Sequence, residues 1–133
     1  LTKDSRKILP ENVTLSDFVV NLANTASITA AFCKNDYNLL KDNLFDYIIE
    51  PTRSTLIPGF PEAKEAALDA GAHGMTISGS GPTVFAITNI QKTAVKIESA
   101  MVAAFNNKGV DCNSLITTSS REGSGIVKSG IIT

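Results

Sequence analysis

Apolar side chains in the first third of the chain recur every three or four positions. The repeat runs from residue 15 to residue 33, which is the spacing of one face of a helix. Thr14, followed three positions later by Asp17, resembles a capping box, in which a hydroxyl and a carboxylate bind otherwise unpaired amides of the first turn. The pattern therefore predicts a long amphipathic helix that begins near residue 15. Its apolar face contains Leu15, Phe18, Val19, Leu22, Ala26, Ala30 and Cys33.

Further elements are predicted along the rest of the chain. A second helix, packed on the first as a hairpin, includes the apolar residues of 39–45 and ends at Glu50-Pro51, because proline disfavours helical geometry in the residue before it. Proline and glycine then predict a loop with limited helical content over residues 51–61. The remaining predicted elements are a helix over 61–70, a helix whose apolar face runs from 94 to 105 and which ends at Gly109, and strands over 75–78, 83–88, 114–118 and 125–127.

The predicted strands are joined partly by a tight glycine loop and partly by one helix. Such connections indicate an antiparallel or mixed sheet that is covered by helices. The composition, with 43% hydrophobic and 19% charged residues in 133, is sufficient to bury a core. We therefore expect a single domain over residues 1–133, of the α+β class, with a ferredoxin-like sheet.

Charge and hydropathy limit the classes of partner. The net charge of −1 gives no field that would concentrate the chain on nucleic acid or on an anionic membrane. No apolar run approaches the ~18 residues that span a bilayer. The start at Leu1, without a charged segment that precedes an apolar one, predicts that there is no secretory signal and that the chain is part of a longer or processed protein. We expect a cytoplasmic protein whose partners are small molecules or proteins.

Residues that commonly bind metal ions are sparse. Cys33 and Cys112 belong to no C-x-x-C pair, and His73, the only histidine, lies in no cluster of potential ligands. We expect no metal site, two buried free thiols and a histidine at the surface. The sequence alone does not exclude a disulfide between the two cysteines.

A glycine-rich loop, SGSGPT at residues 78–83, is the most distinctive local motif. Its small residues let the backbone approach another group closely, and Pro82 stiffens the turn. The loop could present amides to an anion, or it could be only a tight connection between strands. It is neither a Walker A motif nor a dinucleotide-binding fingerprint, because it lacks the required lysine and does not open a helix.

Three segments of the chain resemble known motifs. The string AGAHGMTISGSGPTVFA at 70–86 resembles the third conserved motif of the GHMP kinases. EPTRSTLIPGF at 50–60 and TKDSRKILP at 2–10 are similar to segments of the homoserine kinases within that family. These blocks cover most of the chain up to Asn89, and beyond it the resemblance rests on pattern alone. The chain thus resembles the C-terminal domain of a homoserine kinase.

This resemblance implies an enzyme that transfers the γ-phosphoryl group of ATP to the side-chain hydroxyl of L-homoserine, on the route to threonine. In the family, ATP and Mg²⁺ are held mainly by an N-terminal domain with a long glycine- and serine-rich loop. No such loop, P-x-x-x-G-L-G-S-S in type, occurs in this sequence. The resemblance therefore assigns no catalytic residue to this chain, makes the N-terminal domain its partner and predicts that the isolated chain is inactive.

The resemblance also implies roles for particular residues. Arg53 and Arg6 match arginines of the homoserine-kinase segments, and a guanidinium can hold a carboxylate through two parallel hydrogen bonds. The alternative is a solvated arginine or a local ion pair, with Glu50 and Glu11 as possible partners. Glu50 itself is interpreted as an ordinary residue at the C-terminal end of a helix. The residues expected to support the nucleotide loop of the other domain are Gly79, Ser80, Gly81, Pro82 and Thr83.

Two other functions stay open at this point. One is a GHMP kinase for a different small alcohol or sugar, which would leave Arg53 without an obvious ligand. The other is a non-catalytic, ferredoxin-like module that binds an amino acid, in which the glycine-rich loop is only a turn. If a second domain is missing, the surface that it covers should be apolar and exposed, and we expect homodimers or other self-association.

Overall fold

Six helices and two antiparallel strands follow one another in residues 2–120 and 122, the part of the chain that the computed structural model describes. This arrangement confirms the α+β class. In chain order the elements are α1 (Thr2–Lys7), α2 (Leu15–Lys34), α3 (Tyr37–Asn43), α4 (Glu50–Arg53), a short 3-10 turn (Ser54–Leu56), α5 (Phe60–Asp69), β1 (Gly74–Ile77), β2 (Val84–Ile87) and α6 (Gln91–Asn107).

The start of α2 agrees with the capping pattern. The hydroxyl of Thr14 accepts a hydrogen bond of 3.1 Å from the amide of Asp17 and donates one of 2.7 Å to its carboxylate. The carboxylate thus binds the hydroxyl, where the pattern predicted a backbone amide. Asn35 ends the helix in the left-handed region, with φ of 53°. Helices α2 and α3 pack against each other, so the predicted hairpin is confirmed.

The predicted end of the second helix was wrong. Helix α3 ends at Asn43, and Glu50-Pro51 opens the separate helix α4. Proline is tolerated in the first turn of a helix because amides there have no partner within the helix. The same dipeptide that disfavours the continuation of one helix therefore forms the start of the next.

The hydrophobic core lies between α5, α6 and the two-stranded sheet. Strands β1 and β2 pair in antiparallel register, with Gly74 opposite Ile87 and Ile77 opposite Val84. Ala63 and Ala67 on α5 are fully buried, which lets α6 approach that helix closely. The core contains Ile57, Phe60, Ala63, Ala67, Ala72, Met75, Ile97 and Phe105.

The third predicted strand is absent. Residues 114–118 have no regular structure, and Leu115 is 84% exposed. Side chains that favour strands form a ladder only where a neighbouring strand supplies hydrogen bonds, and no described strand lies beside this segment. The strand predicted over 125–127 lies outside the described residues. Within the described part, the sheet has two strands where the sequence predicted a larger one.

The face of α2 that the sequence assigned to the core is largely exposed. We call the four residues Leu15, Phe18, Val19 and Leu22 the α2 apolar face; their exposed fractions are 78%, 51%, 53% and 58%. Only Ala31 is buried on this helix. The helical period was therefore predicted correctly, but the described residues do not cover this face. Cys33 and Cys112 are also exposed, so the prediction of buried thiols was wrong.

Candidate functional site

The glycine-rich loop connects β1 to β2 as a tight turn, so its predicted place between two strands is confirmed. The amide of Ser78 donates to the carbonyl of Thr83 at 2.8 Å, and the amide of Gly81 donates to the carbonyl of Ser78 at 3.1 Å. Gly79 and Gly81 have φ of 60° and 77°, values that side-chain-bearing residues rarely adopt. The Gly81–Pro82 peptide bond is cis.

The two glycines have different surroundings. A Cβ atom on Gly81 would lie 3.1 Å from Cδ1 of Ile57 and 3.3 Å from Cγ2 of Ile77, so this side of the loop packs on the core. A Cβ atom on Gly79 would meet no described atom within 4 Å. The backbone at Gly79 is therefore open to close approach by another group.

Arg53 contacts this open part of the loop. Its Nη1 donates a hydrogen bond of 2.7 Å to the carbonyl oxygen of Gly79. The side chain is half-buried, and its Nε is covered but has no hydrogen-bond partner among the described residues. The structure thus brings together two parts of the predicted site, the arginine of the 50–60 segment and the loop of the 70–86 segment.

Glu50, which the sequence presented as an ordinary helix residue, takes part in a mostly buried polar network. Its Oε1 accepts a hydrogen bond from Nζ of Lys64 on α5, and its Oε2 accepts one of 2.8 Å from the hydroxyl of Thr76 on β1. The Lys64 ammonium also lies 5.4 Å from the ring centroid of Phe45 and 5.8 Å from that of Phe60, within cation–π range. Glu50 is therefore paired with Lys64, and the alternative of an ion pair between Glu50 and Arg53 was wrong.

The turn that leads into α4 is organised by Asp46. Its carboxylate accepts hydrogen bonds from the amides of Ile48 and Ile49, both at 2.9 Å, and of Glu50 at 3.2 Å, and a further one of 2.8 Å from Nδ2 of Asn21. Burial favours a raised pKa, but the hydrogen bonds from Ile49, Asn21, Ile48 and Glu50 outweigh it, so the pKa of Asp46 lies below its usual value. Asp46 thereby orders the turn that precedes α4 and binds the amide of Glu50, the first residue of that helix.

Sequence reasoning missed Glu50, Lys64, Thr76 and Asp46. The available signal was Pro51, since a proline directly after an acidic residue is also typical of the first turn of a helix. Had α4 been predicted to begin there, Asp46 would have been a candidate for binding the amides of the turn that precedes it. No local pattern connects Glu50 with Lys64 and Thr76, because those contacts span 14 and 26 positions.

Arg6, the other candidate arginine, lies on α1 and is exposed. Among the contacts of the described residues, none joins Arg6 to Arg53 or to the glycine-rich loop. His73, expected at the surface, is half-buried: its ring stacks on Tyr37 at 5.0 Å, and Nε2 lies 2.9 Å from Oδ1 of Asn89.

Two depressions in the described surface lie beside the site. One, of about 430 Å³, is bordered by α5 side chains that include Lys64; the other, of about 220 Å³, lies between α2 and β1 and includes Asn21, Asp46 and Thr76. Neither is lined by Arg53 or by the glycine-rich loop. These depressions therefore do not form the enclosed pocket around Arg53 that a self-sufficient amino-acid-binding module requires.

Residues 2–120 and 122 contain no group of three His, Cys, Asp or Glu side chains that could hold a metal ion. None of their helices has both the length and the apolar character needed to cross a bilayer.

Comparison with known proteins relates most of this chain to one family. Residues 28–107 match the sequence profile described as GHMP kinases C terminal. The homoserine kinase of Chlorobaculum tepidum is 44% identical over 104 residues, which are 78% of this chain and 32% of that protein. The homoserine kinase of Haloarcula marismortui is 39% identical over 110 residues, which are 83% of this chain and 38% of that protein.

A solved structure shares the fold. The crystal structure of homoserine kinase from Cytophaga hutchinsonii superimposes with a TM-score of 0.79 at 47% sequence identity, covering 80% of this chain and 34% of that one. The chain therefore spans between about 30% and 40% of the length of these relatives.

Proposed function

We propose, because this chain belongs to the family of GHMP kinase C-terminal domains, that it forms the C-terminal domain of a homoserine kinase. The reaction is transfer of the γ-phosphoryl group of ATP to the side-chain hydroxyl of L-homoserine, which gives O-phospho-L-homoserine. The observation that carries this proposal is the contact between Arg53 and Gly79, which joins the substrate segment to the family loop. The names of the similar proteins support the choice of substrate.

In this proposal Arg53 binds the carboxylate of homoserine. The hydrogen bond from Nη1 to Gly79 holds the plane of the guanidinium. A guanidinium has five N–H donors, so one bond to a carbonyl leaves donors for a carboxylate. Arg6 is the second proposed ligand of the same carboxylate, although the structure describes no contact that joins it to Arg53. Its exposed side chain is accessible to a substrate held between domains.

The loop from Gly79 to Thr83 supports the nucleotide site in the proposal. Phosphoryl transfer depends mainly on positioning and on stabilisation of charge, so a rigid turn of open backbone beside the phosphates is a useful part of such a site. Following the resemblance to the family, we assign Mg²⁺ and most contacts to ATP to the N-terminal domain; the described residues contain no group of three possible metal ligands. The isolated chain should not turn over ATP.

The partner of this domain is an N-terminal GHMP kinase domain in the same protein. The α2 apolar face supports this assignment, because four large exposed apolar side chains on one helix are typical of a covered surface. We further propose that the isolated chain self-associates through this face, and that the complete enzyme acts in the cytoplasm, in threonine biosynthesis.

The test is ATP-dependent phosphorylation of L-homoserine by the product of the complete open reading frame. A variant with Arg53→Ala should raise KM for homoserine by about tenfold or more with a smaller change in kcat, as expected for loss of a charge-assisted bond. Lys108→Ala, which removes an exposed cation that pairs with Glu62, is the control and should leave KM unchanged.

A substrate that lacks the carboxylate makes this test specific. The compound 3-amino-1-propanol is homoserine without its carboxyl group. The unmodified enzyme should have a lower kcat/KM with it than with homoserine, and Arg53→Ala should lower that value little further. Absence of activity with homoserine would refute the proposed substrate. An equal effect of Arg53→Ala on both substrates would refute the role of Arg53.

A further inference from the structure

Helix α4 is attached to β1 and to the loop that follows it at two points. Glu50, its first residue, accepts a hydrogen bond from Thr76, and Arg53, its last residue, donates one to Gly79. Both contacts join residues that are 26 positions apart, so the helix and the strand run alongside each other in the same direction. Because residues three positions apart lie on one face of a helix, Glu50 and Arg53 both project from α4 towards β1 and its loop.

This spacing allows the Glu50 carboxylate to compete with a substrate for Arg53. An acidic and a basic side chain at positions i and i+3 of a helix attract each other, and a carboxylate held on the same helix has a high local concentration. If Glu50 were free, it would compete for the guanidinium with a carboxylate that arrives from solution. In this structure both of its oxygens are occupied, Oε1 by Lys64 and Oε2 by Thr76.

The pair of Glu50 and Lys64 differs from an ordinary surface ion pair. The two side chains are only 12% and 16% exposed, whereas the pair of Lys108 and Glu62 on the same chain has fractions of 48% and 44%. Such burial removes both charges from water, and its cost limits any gain in stability. The main effect of the pairing is therefore on the neighbouring charge of Arg53.

We infer that Lys64 is a positioning residue that acts by holding the Glu50 carboxylate away from Arg53, which keeps the guanidinium available to the carboxylate of an amino-acid substrate. Thr76 assists by binding the second oxygen of Glu50. This inference rests on the proposed function, because it assumes that Arg53 binds a substrate carboxylate. The charges of Glu50, Lys64 and Arg53 sum to one positive charge, which suits an anionic ligand.

The experiment compares variants of the complete enzyme with L-homoserine at saturating ATP. Lys64→Met keeps much of the side-chain length but releases Glu50, and it should raise KM for homoserine roughly tenfold with kcat changed less than about twofold. The decisive variant adds Glu50→Gln to Lys64→Met. This double variant has no carboxylate at position 50 to compete for Arg53, and its KM for homoserine should return to within about threefold of that of the unmodified enzyme. Lys108→Met is the matched control and should behave as the unmodified enzyme.

Two further measurements keep the outcome clear. Thr76→Val should raise KM in the same direction by a smaller factor, and it serves as the test if Lys64→Met does not fold. Lys64→Met should leave kcat/KM for 3-amino-1-propanol unchanged, because that substrate has no carboxylate. A purely structural role for Lys64 predicts instead that both substrates are affected and that the double variant is at least as impaired as Lys64→Met.

The results separate this inference from the proposed function. If the unmodified enzyme does not phosphorylate homoserine, the proposed function fails and the inference falls with it. If the unmodified enzyme is active but Lys64→Met leaves KM for homoserine unchanged, or Glu50→Gln fails to restore it, only the inference is refuted.

Discussion

Asn21 on α2 donates a hydrogen bond of 2.8 Å from Nδ2 to the carboxylate of Asp46, and its Oδ1 accepts one of 2.9 Å from the amide of Tyr47. One carboxamide thus binds two successive residues of the turn before α4. Since Asp46 in turn binds the first amides of that helix, α2 sets the position from which α4 presents Glu50 and Arg53. The site therefore depends on a contact across 25 positions as well as on its own segment.

Loss of the Asp46 carboxylate should destabilise the fold. Asp46→Ala removes an acceptor for several donors at once, and we expect the free energy of unfolding to fall by about 1–3 kcal/mol, the usual range when part-buried donors lose their acceptor. Asp46→Asn keeps one acceptor oxygen and should cost less. Urea unfolding of the two variants beside the original chain tests this order, and equal stability of all three proteins would contradict it.

The contribution of Asp46 should also depend on pH. Its pKa is lowered in the folded chain, so the carboxylate stabilises the fold at pH values above its usual pKa of ~4, and this contribution is lost as the pH falls through the folded value. The difference in stability between the original chain and Asp46→Asn should therefore be present at neutral pH and shrink below about pH 4. A difference that stays constant down to acid pH would exclude this explanation.

The two glycines of the loop should differ in their tolerance of a side chain. Both have positive φ, which costs about 1–2 kcal/mol for an ordinary residue, but only Gly81 would also press a Cβ atom against Ile57 and Ile77. Gly81→Ala should therefore lower the free energy of unfolding more than Gly79→Ala. Gly79→Asn should cost least, because asparagine tolerates the left-handed region. Thermal or urea unfolding measures the series, and equal losses at the two positions would show that packing on Ile57 is unimportant.

Gly74 should be intolerant of alanine for a steric reason. A Cβ atom at this position would overlap the side chain of Leu44, with Cβ of Leu44 only 3.0 Å away. Overpacking of this kind costs about 1–3 kcal/mol. Leu44→Ala should be destabilising in the original chain but should be tolerated better in combination with Gly74→Ala, since it removes Cδ2, the atom nearest to the added Cβ, together with Cγ, and leaves only the Cβ contact. A double-mutant cycle measures this coupling, and strictly additive losses would refute the steric explanation.

The sequence predicted well those features that depend on neighbouring residues. Thr14 and Asp17 marked the start of α2, and the composition around the glycine-rich loop predicted β1 and β2 on either side of it. The motifs also led to the correct family. Residues 114–118 failed as a strand because strand formation needs a partner that composition does not reveal.

The candidate site was predictable only in part. Arg53 and Gly79 were both named from motifs, yet their contact spans 26 positions and has no local signature. The pairing of Glu50 with Lys64 depends on how α5 packs beside β1, which no periodic pattern encodes. For the same reason the roles of Arg6 and Arg53 in binding substrate stay predictions, and only kinetic measurements can test them.

The isolated chain should associate with itself through the α2 apolar face. Phe18 and Leu22 lie one turn apart on that face and are each more than half exposed, so their burial between two copies would remove apolar area from water. Replacement of both by glutamine should convert the chain to a monomer in light scattering or sedimentation. Leu115→Gln is the control, because this side chain is exposed to an even larger extent, 84%, but lies outside the face, and it should leave association unchanged. A monomeric original chain at high concentration would exclude self-association, whereas association that survives the double replacement would place the contact on another surface.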